Sequence, residues 1–161
     1  MYTLQPSRRF EYRNMKKIKE PEKYDLNDPE TNYLILSSPE RFVFNDYKTS
    51  RTHGQQTINI LYPSLINIIN QYIKIKNIQD GEYLITQSKN KNKLIGENNF
   101  SRLISKVFKK TLKKNTSLDY IRKSHIIHFL DCGKRSNNEK AIFAAYCGHS
   151  IDEQGKYYKI L

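Results

Sequence analysis

Tyr146-Cys-Gly-His-Ser-Ile151, followed closely by Gln154-Gly-Lys-Tyr-Tyr-Lys-Ile160, is the stretch on which the reading of this chain turns. Gly148 is placed to stop a helix that begins at Asn137 or Asn138 and runs through Ala144. A last helix is expected from about Ile151 to Tyr158, which lies nine residues beyond His149. Upstream, Ser117 is suited to cap a helix carrying Ile121, Ile126, Ile127, Phe129 and Leu130, with Gly133 near its end. Taken singly these residues are ordinary. A histidine after a helix stop more often caps or packs, and most of the 12 tyrosines must fill space.

The chain before this stretch changes period twice. Asn99 or Ser101 can start a helix bearing Leu103, Ile104, Val107 and Phe108. Residues 88–93 read as a polar loop, and Tyr83-Leu-Ile-Thr86 as a short strand at most. After Pro63, Leu65, Ile66, Ile68, Ile69, Tyr72 and Ile73 recur at helical spacing up to Asp80-Gly81. Earlier still, Asn32-Tyr-Leu-Ile-Leu36, Arg41-Phe-Val-Phe-Asn-Asp-Tyr-Lys-Thr49 and Gln56-Thr-Ile-Asn-Ile-Leu61 are β-type runs. Ser50-Arg-Thr-His-Gly54 has turn chemistry. A short helix is expected around residues 9–17, then a loop through Pro21 and Pro29. The fold class expected is therefore α+β, mainly helical, with a small three-stranded antiparallel sheet and no internal repeat.

Bulk properties narrow the function classes. At 161 residues the chain has the length of one domain with a core. Lys and Arg number 28 against 16 Asp and Glu, a formal charge of +12 that favours a polyanion such as nucleic acid as partner. Abundant Lys, Asn and Ile also fit A/T-rich coding bias, so charge alone does not identify chemistry. No apolar run reaches membrane-spanning length and the start has no signal-peptide core, so a soluble cytoplasmic or nuclear protein is expected. Cys132 and Cys147 make no disulfide framework and, with His149, lack zinc-site spacing. No phosphate-binding glycine loop or acidic metal cluster is present, so neither cofactor nor metal is expected.

In order and spacing, the polar residues resemble the catalytic domain of the tyrosine recombinases, the phage-integrase family. Ile121-Arg-Lys-Ser-His125 resembles the second-arginine box, Tyr146-Cys-Gly-His-Ser-Ile151 the Leu-Gly-His-Ser box, and Gln154-Gly-Lys-Tyr-Tyr-Lys-Ile160 the nucleophile segment. The likeness covers nearly the whole chain and is most specific from residue 117 onward. It implies one catalytic domain over residues 1–161, without the N-terminal helical clamp that most of the family carries. The A/T-biased composition and the Pro-x-Arg-Arg opening resemble recombinases of large DNA viruses and their mobile elements.

The resemblance implies a role for each residue. Tyr158 is the nucleophile that forms a 3′-phosphotyrosyl intermediate, with Tyr157 as its neighbour at the less usual interval. Arg122 clamps the phosphate, and His149 hydrogen-bonds it and orients the tyrosine. Guanidinium groups suit this work because they stay charged and present paired donors to the oxygens of a five-coordinate phosphorus. Arg8 and Arg9 both fit the first arginine: Arg8 through its Arg-x-x-Glu spacing to Glu11, Arg9 slightly better through Pro-x-x-Arg. Lys48 is implied to protonate the leaving 5′-oxygen, with Arg51 as its competitor. Asp119 stands where the family usually has a histidine. It can handle that proton in the histidine's stead or brace Arg122. His125 and His128 lie on the wrong side of Arg122 and read as structural.

The implied function is site-specific recombination, integration or resolution of double-stranded DNA by a dimer or tetramer, with no small-molecule substrate. Two other readings remain open on the same residues. One is a topoisomerase of the IB type that relaxes DNA without a specific site. The other is a non-catalytic DNA-binding relic of the fold.

Overall fold

Asn32–Ile35 forms a strand, β2, in which every residue is buried. A strand buried on both faces must be covered on both, and its sequence explains how. The structure, a computed structural model, describes residues 1–87 and 90–158, and their side chains except at 90–92, 157 and 158. Its contacts divide the chain into two compact units, Phe10–Glu97 and Met1–Arg9 with Asn98–Leu161.

In the first unit, β1 (Met15–Ile18), β2, β3 (Arg41–Phe44) and β4 (Gln56–Asn59) form one sheet in that order. On one face Tyr33, Ile35 and Val43 pack with Ile18 beneath Tyr24 and Leu26. On the other, Tyr12 sets its ring edge-on to Phe42 and Phe44, with centroids 5.3 and 5.7 Å away, a favoured aromatic geometry. Helix α1 (Ser50–His53) sits in the β3–β4 connection, and α2 (Pro63–Lys76) buries Leu65 and Ile69. Strands β5 (Thr86–Gln87) and β6 (Asn90–Leu94) pair separately.

Four local expectations are corrected here. The main sheet has four strands, and β1 runs parallel to β2 while the other pairs are antiparallel. The helix expected at 9–17 is instead a set of turns leading into β1. Met-Lys-Lys-Ile reads as a helix former, but pairing in register with β2 buries Met15 and Ile18 completely. The intervening Lys17 is tolerated because its ammonium lies 3.3 Å from Asp80. Residues 50–53 wind into α1 rather than a plain turn, and much of the polar 88–93 segment pairs as β6. Both are local arrangements: the His53 and Gly54 amides bond back to the Thr49 and Ser50 carbonyls, and β6 pairs antiparallel with the adjacent β5.

The second unit is helical: α3 (Glu97–Leu112), α4 (Leu118–Asp131), α5 (Asn137–Cys147) and α6 (Ile151–Tyr158). Helix α3 begins two residues before the earlier of its expected caps, and α6 has the bounds expected. Helix α6 packs on α4 and α5. No helix among the described residues is long and apolar enough to cross a membrane.

Candidate active site

Ser117 caps α4 by accepting the Tyr120 amide at 3.1 Å. That start sets the rotation of the helix, turning Leu118, Ile121, Arg122 and Ile126 inward. Three of the four are apolar; the fourth brings a guanidinium to 1% exposure.

Helix α5 is bounded at both ends. Ser136 accepts the Glu139 amide at 3.2 Å while the Glu139 carboxylate accepts the Ser136 amide at 2.9 Å, a complete capping box. At the other end Gly148 takes the left-handed conformation at φ 69°, which glycine adopts without steric cost. The Gly148 and His149 amides fold back onto the Ala145 and Ala144 carbonyls at 3.0 and 3.1 Å.

Two buried arginines converge on that C-terminal end. Arg8 donates from Nε to the Tyr146 carbonyl at 3.0 Å and from Nη2 to Ala145 at 2.9 Å. Arg122 donates from Nη2 to the Cys147 carbonyl at 3.1 Å. The last carbonyls of a helix lack partners of their own and form the negative end of its dipole. Charge-assisted bonds to them offset part of the cost of burying each guanidinium. Burial pushes the Cys147 thiol up to about 12, with Arg122 and Arg8 both pulling the other way.

His149 follows directly. Burial is the main cause that lowers its imidazole to about 4. Its hydrogen bond to the Ser150 carbonyl and the charge of Glu153 oppose that shift, while Arg122 and Arg9 add to it. Nδ1 lies 2.9 Å from that carbonyl. A carbonyl only accepts, so Nδ1 carries the proton and Nε2 is the basic nitrogen.

The structure thus brings Arg8, Arg122 and His149 together, with the charge of half-buried Arg9 felt at His149. Tyr158 ends the backbone of α6, and its side chain lies outside the described residues, as does that of Tyr157. Lys48 is exposed in the β3–β4 connection of the other unit, and Arg51 is exposed in α1. The exposed Asp119 carboxylate pairs with Lys123 at 3.0 Å. His125 donates to the Tyr2 carbonyl at 3.1 Å, and burial lowers its pKa, in keeping with a structural part. His128 lies 3.5 Å from Cys132 on the surface. No group of three or more potential metal ligands occurs among the described residues.

Sequence reasoning missed two structural features. The α5 carbonyls that anchor both arginines are backbone groups, and no residue type announces them. Asn32 opens an apolar strand and reads as a mere boundary, yet it is fully buried.

This arrangement sits on a fold similar to that of a recombinase. The solved structure it resembles is described as the crystal structure of XerA recombinase, with TM-score 0.61 and 14% sequence identity. The match covers 97% of this chain and 48% of the other, so the chain spans about half the length of that neighbour. No protein-family model and no curated protein matches the sequence.

Proposed function

We propose that this chain cleaves and rejoins double-stranded DNA as a tyrosine recombinase. The observation that carries the reading is the convergence of Arg8 and Arg122 on the end of α5, beside His149. The fold likeness and the charge of +12 support the same class of partner.

In the proposed reaction the Tyr158 phenol oxygen attacks the scissile phosphorus. A Tyr158 Oη–P bond forms as the P–O5′ bond breaks. His149 Nε2 accepts the phenol's proton, and Lys48 gives one to the departing 5′-oxygen. Arg122 and Arg8 stabilise the extra charge on the non-bridging oxygens. A bound phosphate also raises the pKa of His149 from its low value in the free protein, making it a better base when DNA is present. Attack by a 5′-hydroxyl on the phosphotyrosine reverses each step. The phosphoester bond is conserved throughout, so no nucleotide cofactor is consumed.

The test uses nicked suicide duplexes of randomised sequence, which lose the leaving strand after cleavage. A covalent protein–DNA adduct is expected, lost in Tyr158→Phe. An adduct lost only in Tyr157→Phe moves the nucleophile by one residue. Relaxation of plasmid without a preferred site assigns a topoisomerase. Salt-sensitive binding with no adduct on any duplex assigns a binding relic and ends the catalytic reading.

A further inference from the structure

The Phe10–Glu97 unit concentrates buried amide side chains at one end of its sheet, where β2 begins and β3 ends. Asn32 is at the centre and is 0% exposed. Its Oδ1 accepts the backbone amides of Asn45 and Asp46, each at 2.8 Å. Its Nδ2 donates to the carbonyls of Asp46 and Glu11, each at 3.0 Å. Two acceptor and two donor positions exhaust what an asparagine side chain can do.

The neighbours extend the same knot. Asn45 donates to the carbonyls of Leu26 and Thr31 at 2.8 and 2.9 Å and accepts from Gln55 at 2.9 Å. Asn14 donates to the Asp46 carboxylate at 2.6 Å. Tyr47 is buried, and its hydroxyl reaches the Gly54 carbonyl at 2.6 Å, closing the base of the β3–β4 connection. Side chains therefore hold the backbone through Asp46, Tyr47 is tied by its own hydroxyl, and the next residue is exposed Lys48.

We propose that Asn32 is a positioning residue for Lys48. This rests on the reading of Lys48 as general acid. A lysine side chain has four flexible carbons, so where its ammonium can dwell depends on how firmly its backbone is placed. A general acid must stay within hydrogen-bond reach of the atom it protonates. A fully satisfied buried network rigidifies the segment it binds. Here the segment so bound leads directly into the proposed acid.

The experiment first locates a cut site by sequencing DNA trapped from the randomised duplexes. Two duplexes are then made at that site, one with the natural 5′-oxygen and one with a bridging 5′-sulfur. A thiolate leaves at neutral pH without being protonated, because its pKa lies far below that of an alcohol. Lys48→Ala is expected to slow cleavage of the oxygen duplex by about 100-fold or more and of the sulfur duplex by less than about 5-fold. Asn32→Ala is expected to show the same contrast, with faster amide hydrogen exchange across residues 45–50 and DNA affinity within about 2-fold.

Equal slowing of both duplexes by Asn32→Ala, with Lys48→Ala still rescued by sulfur, overturns the positioning role and leaves Lys48 in place. No rescue of Lys48→Ala removes Lys48 as the acid, and no adduct from the unaltered protein removes the catalytic reading; the inference falls with either. If Asn32→Ala fails to give a cooperative melt, Asn45→Ala, which loosens the same knot, is judged by the same ratio.

Discussion

Arg8 and Arg122, from opposite ends of the sequence, donate to three consecutive carbonyls, those of Ala145, Tyr146 and Cys147. Both arginines reach across the sequence to the same helix end. Each is fixed by the place where α5 stops, and that place is set by Gly148. The turn that ends the helix also presents His149, so one local feature orients three of the proposed functional groups. Moving the stop by one residue would rotate the carbonyls by about 100° and scatter the group.

The helix start should matter for the same reason. Ser136→Ala removes the hydroxyl that accepts the Glu139 amide. Loss of a cap of this type costs about 1 kcal/mol. For a chain of this size that is roughly 2–4 °C in Tm. Thermal and urea unfolding of the variant should show a loss of that order, whereas Asn137→Ala, just inside the helix, should change stability by less than about 0.5 kcal/mol.

The two cysteines should differ sharply in reactivity. Cys147 is buried and its thiol is pushed up to about 12, while Cys132 is exposed. Maleimide at neutral pH should therefore add one label to the native protein, at Cys132, and two after denaturation. Mass spectrometry of the intact and digested protein reads both numbers. Rapid native labelling of Cys147 would mean that the end of α5 opens readily.

Much of this could be read from residue order, and the rest could not for definable reasons. The helical stretch from Ser117 onward was legible because caps and stops are local: Ser117 and Gly148 act within a few residues of themselves. Strands β2 and β3 were legible because their apolar runs are dense, and β4 because polar and apolar residues alternate along it. Strand β1 was not, since Lys17 is acceptable inside only because Asp80, far along the chain, meets it. At the site, Arg122 and His149 were marked by motif. Asp119 was placed near the chemistry by position alone, and the structure gives its carboxylate to Lys123 at the surface.

The low pKa of His149 carries a pH dependence of definite sign. It is about 4 in the folded protein, against 6.5 ordinarily. Between those values the unfolded chain binds a proton that the native protein does not, so stability falls as pH drops through this window. Above about pH 6.5 the contribution is fully present. Urea midpoints from pH 7 to 4.5 should fall more steeply for the native sequence than for His149→Gln, and NMR titration should place the imidazole near 4. His125, also lowered by burial, is common to both proteins and cancels in the comparison. Parallel curves for the two proteins would show that His149 is not held in its neutral form.

The choice between Arg8 and Arg9 can be made by asking what each does besides carry charge. Arg8 is completely buried and uses two donors on one edge of its guanidinium, Nε and Nη2, on adjacent carbonyls. Lysine keeps the charge but lacks the planar fork, so Arg8→Lys should disturb the geometry without removing the cation. Arg9 is only half-buried, and a residue so placed is suited to a backbone phosphate away from the cut. Adduct formation should fall by about 100-fold or more in Arg8→Lys, the usual scale for losing one transition-state donor. Arg9→Ala should instead weaken DNA binding, lower the salt dependence of affinity by about one ion, and slow cleavage at saturating protein by less than about 10-fold. Melting curves of both variants separate chemistry from unfolding. The opposite pattern, with cleavage surviving in Arg8→Lys and lost in Arg9→Ala, would give the phosphate clamp to Arg9 and leave Arg8 as the strut that ties the N-terminal segment to the end of α5.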